Sequence, residues 1–360
     1  QYIVTLRDDD GSVQAARGRG EDALRAVAER VARRHAGRVR HVYSAVLTGF
    51  ATEMSEGEAR AMARDPEVAL VEQDQVVHKW QVTQSPTPSW GLARIDQRGL
   101  PVGSSFTYRN TGTGVRAYIL DTGIRAGHVD FGGRVSGGFT SIADGRGTDD
   151  CDGHGTHVAG TVGGAAYGVA KRVALVPVRV LDCNGSGSWS GVIAGIDWVA
   201  NNHVKPAVAN MSLGGGASTS VDNAVANAVA RGVIVVVAAG NSNRDACGFS
   251  PARTASAITV GSTTTSDARS SFSNFGSCLD LFAPGSSIVS TWFTSNTATA
   301  TLSGTSMAAP HVAGVAAQYL QSNPGATPGT VRNAIVANAT TNVISSAGRN
   351  SPNRLLFTNY

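Results

Sequence analysis

Apolar residues in the first eighty positions follow two alternating periods, which predict helices and strands in turn. The segment 21–35 carries apolar residues at i, i+3, i+4 and i+7, which is typical of an amphipathic helix. Ser55 and Glu58 form a capping box for a second helix, predicted to end at Arg64. The remaining apolar runs, predicted as strands, lie at 2–6, 39–50, 68–71 and 75–77. The order β-α-β-β-α-β predicts a small α+β domain of ferredoxin-like fold.

From Gly114 onward, unbroken apolar runs alternate with helical patterns. Such continuous Val and Ile runs are typical of strands buried on both faces of a parallel sheet. We predict these strands at Val115–Leu120, Val173–Val180, Ala207–Met211, Val233–Ala238, Ile258–Val260 and Leu279–Phe282. We predict helices at Val158–Val162, Ser190–Asn202 and Val221–Arg231. The order indicates an α/β fold, a largely parallel sheet covered by helices on both faces, with active residues at the carboxyl ends of strands.

Charge density divides the chain at the same place. The first 80 of the 360 residues hold 25 charged side chains, whereas the other 280 hold 31. Between the two parts, Lys79–Ser89 has two prolines among polar residues and is predicted to be an exposed linker, open to proteolysis. We therefore expect a small domain at 1–78, a linker with a processing site at 79–89 and a second domain at 90–360.

The overall composition argues against two classes of partner. The formal net charge is only +4 and the basic residues are scattered, so we expect no nucleic acid. The longest apolar run, Val233–Ala239, is too short to cross a bilayer, so we expect no membrane association. No export signal precedes Gln1, and we expect that any such segment has been removed.

All cysteines lie in the second part, at positions 151, 183, 247 and 278. An even number in a lysine-poor domain rich in Gly, Ser, Thr and Asn favours two disulfides and an exported protein, although four cysteines allow three pairings. A rival interpretation is a zinc site formed by Cys151, His154, His157 and Cys183. The zinc-protease motifs HExxH and HxxEH are absent, which argues against it.

Three polar residues, Asp121, His154 and Ser306, each lie within two residues of a glycine. Alone, each has an ordinary interpretation as a turn residue, a surface histidine or a helix cap. Nucleophilic catalysis by serine, however, requires an imidazole to accept the proton and a carboxylate to hold that imidazole. Ser306 also begins a predicted helix, where backbone N–H groups face a developing anion. Pro310 removes one hydrogen bond from this helix and marks the segment as strained.

Five motifs establish a family resemblance. They are DTGI at 121–124, GHGTHVAGT at 153–161, NMSLGG at 210–215, AAGN at 238–241 and GTSMAAPHVAG at 304–314. Together they resemble the signature blocks of subtilisin-like serine proteases, whose catalytic residues follow the order Asp-His-Ser. Further segments at 90–96, 178–187 and 270–278 look closest to the proteinase K and aqualysin group. The likeness covers nearly all of residues 90–357.

The resemblance implies a role for each polar residue. Ser306 would be the nucleophile, His154 the general base and then acid, and Asp121 the group that orients the imidazole. Asn241 would donate its side-chain amide to the oxyanion, together with the backbone N–H of Ser306. The implied activity is that of a serine endopeptidase acting through an acyl-enzyme. The alternative is a catalytically silent relative that only binds.

The same resemblance places the substrate. A peptide would lie extended between two segments and pair with them as an added strand, which gives broad specificity because main-chain bonds supply the affinity. The two segments are Gly185-Ser186-Gly187 and Ser212-Leu213-Gly214. An apolar S1 pocket would be lined by Leu213, Ala238, Ala239 and Gly240. Trp189 either borders the S4 pocket or packs in the core.

Covalent and metal supports are also implied by the resemblance. The cysteine spacings look like those of aqualysin-type enzymes, with disulfides Cys151–Cys183 and Cys247–Cys278. A structural calcium ion would match the strong site of proteinase K, with the carbonyls of Ala255 and Ala257 and the carboxylate of Asp280 as ligands. A second, N-terminal calcium site would use Asp96 and Gln97. Ala93 stands where a carboxylate is expected, so that site is incomplete.

Residues 1–80 resemble the propeptide that assists folding of such a protease and then inhibits it. The segment Asp74 to Gln81 would lie in the cleft like a product. We expect Ser306 to cut between Trp80 and Val82, after Gln81, which would leave a non-covalent inhibitor complex. The mature enzyme is expected to be a secreted monomer acting on polypeptides. An alternative is an independent inhibitor fused to the enzyme and acting in trans.

Overall fold

The computed structural model describes residues 1–74 and 81–360. The chain folds into two compact units, Gln1–Lys79 and Trp80–Tyr360. The strand predicted at 75–77 lies outside the described residues, as do 75–80 of the segment from Asp74 to Gln81 that is expected to occupy the cleft. Among the described residues, no helix is both long and apolar enough to cross a membrane.

The first unit contains four strands and three helices among its described residues. They are β1 (Tyr2–Leu6), α1 (Gly11–Arg19), α2 (Glu21–Arg34), β2 (Arg38–Tyr43), β3 (Gly49–Glu53), α3 (Glu56–Met62) and β4 (Val68–Gln73). The strands form an antiparallel sheet in the order β2-β3-β1-β4. This order, with helices α2 and α3, gives the ferredoxin-like fold that the sequence predicts.

Helix α1 is an addition that the apolar pattern does not predict. Only Val13 and Ala16 of its nine residues are buried, so no apolar stripe marks it. Its signal is the N-cap Asp10, whose carboxylate accepts hydrogen bonds from the backbone N–H groups of Ser12 and Val13. The predicted strand 39–50 likewise divides into the two strands β2 and β3.

The second unit is built around a large sheet. Its strands are β5 (Val82–Gln84), β6 (Phe106–Tyr108), β7 (Arg116–Asp121), β8 (Phe139–Thr140), β9 (Ala174–Arg179), β10 (Ala207–Met211), β11 (Gly215–Gly216), β12 (Ile234–Ala238), β13 (Phe249–Ser250), β14 (Ile258–Thr263), β15 (Leu281–Pro284), β16 (Ile288–Thr291), β17 (Thr299–Leu302), β18 (Thr340–Thr341) and β19 (Arg354–Leu355). Its α-helices are α4 (Trp90–Ile95), α5 (His154–Gly163), α6 (Trp189–Asn202), α7 (Thr219–Ala230), α8 (Thr305–Ser322) and α9 (Pro328–Asn338).

Nine strands form the main sheet, in the order β18-β19-β15-β14-β12-β10-β7-β9-β8. All neighbours from β19 to β8 run parallel, and the edge strand β18 is antiparallel. The two faces carry separate apolar cores. Ile119 of β7 packs in the core that contains residues of α5 and α8, whereas its neighbour Leu120 packs in the core that contains residues of α6 and α7. The predicted parallel sheet with helices on both faces is therefore confirmed.

The sheet order places the carboxyl end of β7 at a switch in topology. Strand β7 lies between β9 and β10, and the chain visits β9 on one side before crossing to β10 on the other. Ligands in such sheets bind at this kind of crevice, where Asp121 ends β7. Part of the predicted linker differs from expectation, because Val82–Gln84 form β5 and pair with β6.

Candidate active site

Asp121 and His154 meet at the carboxyl edge of the main sheet. Asp121 is fully buried at the end of β7, and His154 is the first residue of α5, with about a quarter of its side chain exposed. Nδ1 of His154 lies 2.7 Å from Oδ1 of Asp121. Burial alone would lower the pKa of His154, but the charge and hydrogen bond of Asp121 outweigh it and raise that pKa above its ordinary value.

The glycines flanking His154 are required by packing. Gly153 has a φ of 112°, and a β-carbon there would lie 2.5 Å from the Trp292 ring. A β-carbon on Gly155 would lie 2.2 Å from the carbonyl oxygen of Gly123, which cannot move without disturbing the turn after Asp121. The motif GHG therefore lets the helix approach the end of β7 closely enough for the two side chains to meet.

The buried carboxylate of Asp150 holds the loop before His154. Its Oδ1 accepts hydrogen bonds from the Thr122 hydroxyl and from the backbone N–H groups of Asp152 and Gly153. Its Oδ2 accepts from both the backbone N–H and the hydroxyl of Thr156. One side chain thus connects the turn after β7 with the start of α5. Asp150 is not among the residues predicted from the sequence, where its only signal is its position in the loop that leads to His154.

Ser306 is the second residue of α8, and it exchanges hydrogen bonds with Ser212, which follows β10. The Ser306 hydroxyl donates to the Ser212 carbonyl at 3.1 Å, and the Ser212 hydroxyl donates to the Ser306 carbonyl at 2.8 Å. Pro310 has no N–H to donate to the Ser306 carbonyl, which is its acceptor in a regular helix. The proline therefore leaves that carbonyl free for Ser212.

Asn241, which follows β12, is oriented by Thr305. Its Oδ1 accepts hydrogen bonds from the backbone N–H of Thr305 at 2.9 Å and from the Thr305 hydroxyl at 2.8 Å. Because the oxygen is held in this way, the amide NH₂ remains the end that can donate to a ligand. Thr305 is fully buried and is a second site residue that sequence reasoning missed.

Two adjoining concave surfaces bring the predicted substrate residues together. A groove of about 570 Å³ contains His154 and Ser306 together with 185–187, 212–214 and Trp189. A pocket of about 240 Å³ contains Leu213, Ala238, Ala239, Gly240 and Asn241, again with Ser306. No charged side chain lines this pocket among the described residues. Trp189 therefore lies at the groove, and it also packs against the core on the α6 side.

Comparisons with known protein families identify both parts of the chain. The subtilase family model matches residues 112–356. The chain belongs to the subtilase family. A second model, that of the peptidase inhibitor I9 family, matches residues 1–79. The protein is thus a subtilisin-like serine endopeptidase with an N-terminal inhibitor domain, as the sequence motifs indicate.

Individual proteins that are similar to this chain are named as serine proteases. The chain is 61% identical over 321 residues to an extracellular serine proteinase of Thermus sp. (strain Rt41A), with 89% of this chain and 78% of the relative covered. It is 51% identical over 323 residues to alkaline serine exoprotease A of Vibrio alginolyticus, with 89% of this chain and 60% of the relative covered. It also resembles the crystal structure of a cold-adapted subtilisin-like serine proteinase, with 55% identity and a TM-score of 0.74 over 77% of this chain and 100% of that chain.

Both predicted disulfides are present. Cys151 is bonded to Cys183, and Cys247 to Cys278. The first bond joins the loop before His154 to the segment before Gly185, at one wall of the groove. The same bond excludes the zinc site considered above, because that site needs Cys151 and Cys183 as free thiolates and both are oxidised.

His157 lies on α5, away from Asp121. Its Nε2 is 3.0 Å from the carbonyl oxygen of Ile288. Burial lowers its pKa to about 4. The first histidine of the HGTH motif is therefore the one that reaches the carboxylate.

The predicted calcium ligands do not fit an ion as they stand. Nη1 of Arg332 donates to the carbonyl oxygen of Ala255 at 3.0 Å, and its Nε donates to Oδ1 of Asp280 at 2.7 Å. Two of the three proposed calcium ligands, the Ala255 carbonyl and the Asp280 carboxylate, therefore already accept hydrogen bonds from a guanidinium. At the incomplete second site, Oδ2 of Asp96 accepts the backbone N–H of Thr107 at 2.7 Å.

Proposed function

We propose that Ser306, His154 and Asp121 form the catalytic triad of this endopeptidase. The observation that carries the proposal is the 2.7 Å contact between His154 and Asp121 at a groove that also contains Ser306. Nε2 of His154 accepts the Ser306 proton as the hydroxyl attacks the scissile carbonyl, and then protonates the leaving amine. Water repeats the sequence on the acyl-enzyme. The Ser306 hydroxyl leaves its bond to Ser212 when a substrate arrives, since catalytic hydrogen bonds tighten in the complex.

The oxyanion would be bound by the amide NH₂ of Asn241 and the backbone N–H of Ser306. The fixed Oδ1 of Asn241 supports this role, because it leaves the NH₂ group preorganised at the pocket that contains Ser306. Donors held in place before the charge develops need no reorganisation during the reaction.

A peptide substrate would lie extended between 185–187 and 212–214, with its P1 side chain in the pocket lined by Leu213, Ala238, Ala239 and Gly240. The absence of charge among the lining residues favours apolar P1 side chains. Affinity would come largely from main-chain hydrogen bonds, so the specificity would be broad.

The triad is tested by covalent labelling. The processed wild-type enzyme should react with a fluorophosphonate probe at Ser306, and preparations of Ser306→Ala should stay unlabelled. Ser303→Ala, three residues earlier, is the matched control and should label like the wild type. A wild-type enzyme that remains unlabelled after the inhibitor domain is removed would instead support the catalytically silent alternative.

We also infer that Ser306 cuts its own precursor after Gln81, leaving residues 1–81 as a non-covalent inhibitor. The I9 match to residues 1–79 supports this inference. The new N-terminus would then be Val82, the first residue of β5. Purified Ser306→Ala precursor should remain intact while the wild type yields two fragments, and intact mass identifies the bond. Equal cleavage of both proteins would rule out self-processing.

The inhibitor domain should act first on its own enzyme. Purified residues 1–81, added back to the mature protease, should inhibit it in a saturable way. Inhibition of related proteases but not of this one would favour the alternative of an independent inhibitor acting in trans.

Secretion and a monomeric mature enzyme complete the proposal. One relative is named an extracellular proteinase, and two disulfides suit an oxidising environment. Light scattering of the processed enzyme should give the mass of a single copy, and the mass of a dimer would contradict the proposed monomer.

A further inference from the structure

Arg332 lies on α9 and extends its guanidinium to the loops that precede β14 and β15. Nη1 donates to the Ala255 carbonyl at 3.0 Å, while Nε donates to Oδ1 of Asp280 at 2.7 Å and Nη2 lies 2.5 Å from the same oxygen as an ion pair. The Asp280 side chain is only 8% exposed, and that of Arg332 is 38% exposed. One cationic group therefore ties the helix to both loops.

The other Asp280 oxygen is also engaged. Its Oδ2 accepts the backbone N–H of Thr259 at 2.8 Å. A calcium ion needs about six to eight oxygen ligands at roughly 2.3–2.6 Å. An ion within that distance of the Ala255 carbonyl and the Asp280 carboxylate would stand next to a guanidinium bonded to the same oxygens. Two cations at such a separation repel one another.

We propose that the guanidinium of Arg332 replaces the cation at the position where Ala255, Ala257 and Asp280 would hold calcium. The electrostatic arrangement is similar in both cases, because the buried carboxylate and the carbonyl dipole face one positive group, whether that group is a calcium ion or a guanidinium. The difference is that the cation is covalently part of the chain. The link between α9 and the loops before β14 and β15 is then independent of the calcium concentration.

Stability supplied by a bound calcium ion and stability supplied by Arg332 respond differently to a chelator. Where an ion holds the loops, a chelator removes the support and Asp280→Asn removes the ion. Where Arg332 holds them, the chelator changes nothing at this position. Loss of Arg332 then destabilises the protein with or without calcium, because the Asp280 charge is left unpaired in a buried place. Loss of Asp280 has the same independence of calcium, because it removes the partner of the guanidinium.

The experiment uses the mature enzyme, inactivated at Ser306 with a sulfonyl fluoride to prevent autolysis. Wild type, Asp280→Asn, Arg332→Gln and the double variant are compared by equilibrium dialysis with radioactive calcium and by thermal unfolding, in excess EDTA and in millimolar calcium. Arg253→Gln, which removes the ion pair with Asp222, is the matched control for loss of an arginine–carboxylate pair.

We expect wild type and Asp280→Asn to bind the same number of calcium ions. Each single variant should lower Tm by roughly 5 °C, in EDTA as in calcium, and the double variant should fall little further. The proposal is overturned if Asp280→Asn binds one ion fewer than wild type, or if its loss of Tm appears only with calcium.

A misfolded Asp280→Asn would not remove the test, because Arg332→Gln and wild type are then sufficient. An unchanged Tm for Arg332→Gln in EDTA would contradict the proposal, whereas a drop that Arg332→Lys partly restores would support it.

Discussion

Replacement of Asp150 by Asn tests how the fold positions His154. The carboxylate is 5% exposed and accepts five hydrogen bonds, three at Oδ1 and two at Oδ2. An Asn side chain keeps one acceptor oxygen and turns an NH₂ group toward the other donors. With the oxygen serving the Oδ1 partners, the backbone N–H and the hydroxyl of Thr156 lose their acceptor.

The expected cost follows from these two bonds. Hydrogen bonds to a charged group contribute about 1.5–3 kcal/mol each, and the Thr156 hydroxyl can rotate to reduce its own loss. We therefore expect Asp150→Asn to lower the free energy of unfolding by about 3 kcal/mol, and Asp150→Ala to lower it further. Because the freed loop carries His154, kcat should also fall, on the order of 10- to 100-fold, with KM little changed.

Denaturant unfolding of the sulfonyl-fluoride-inactivated enzyme measures the stability, and a peptide anilide substrate measures kcat and KM. Asp149→Asn is the control, since this neighbour is exposed, and it should change the unfolding free energy by less than about 0.5 kcal/mol. A loss below about 1 kcal/mol in Asp150→Asn with unchanged kcat would refute the reasoning.

Three further predictions concern catalysis and pH. Asn241→Ala should reduce kcat by roughly 10²- to 10³-fold in steady-state assays at nearly constant KM, because one oxyanion donor is lost; a fall below about threefold would contradict this. The rise of kcat/KM with pH should have its midpoint above the ordinary pKa of a histidine, since His154 must be neutral to act as base, and the midpoint should move down in Asp121→Asn. Burial lowers the pKa of His311 to about 4, so the unfolded chain binds its proton first and stability falls as pH drops from 6.5 to about 4. Over that range, His311→Gln should make the slope of unfolding free energy against pH shallower by about 1.4 kcal/mol per unit, and an unchanged slope would show that His311 is not responsible.

The residues of the proposed triad can be recognised in the sequence because they leave a local trace. Each of Asp121, His154 and Ser306 lies within two residues of a glycine. At Gly123 and Gly155 the backbones approach so closely that a β-carbon would lie 2.6 and 2.2 Å from a carbonyl oxygen. The apolar runs likewise predict the parallel sheet, because strands covered on both faces need continuous burial.

Positioning residues leave no such trace. Asp150 and Thr305 act through partners that the fold brings together from distant segments, as between Thr305 and Asn241, 64 residues apart. Arg332 is a further case, since nothing near it in sequence indicates that α9 lies against Asp280. Local patterns report what a residue does to its own backbone, whereas these roles depend on where the topology brings another chain segment.

Pro310 is visible in the sequence as a helix-breaking residue, and its effect on a neighbouring contact is visible only in the structure. Its sequence signal is a helix that gives up one hydrogen bond, and the structure shows where the freed acceptor is used, because the Ser306 carbonyl receives the Ser212 hydroxyl. The same hydroxyl accepts from Nδ2 of Asn210, on the strand that leads to 212–214. The start of α8 is thus bonded to the segment where a substrate is proposed to pair. In a regular helix the Ser306 carbonyl would be shared between the N–H of residue 310 and the Ser212 hydroxyl, which would weaken the bond that holds Ser306 to the wall of the groove.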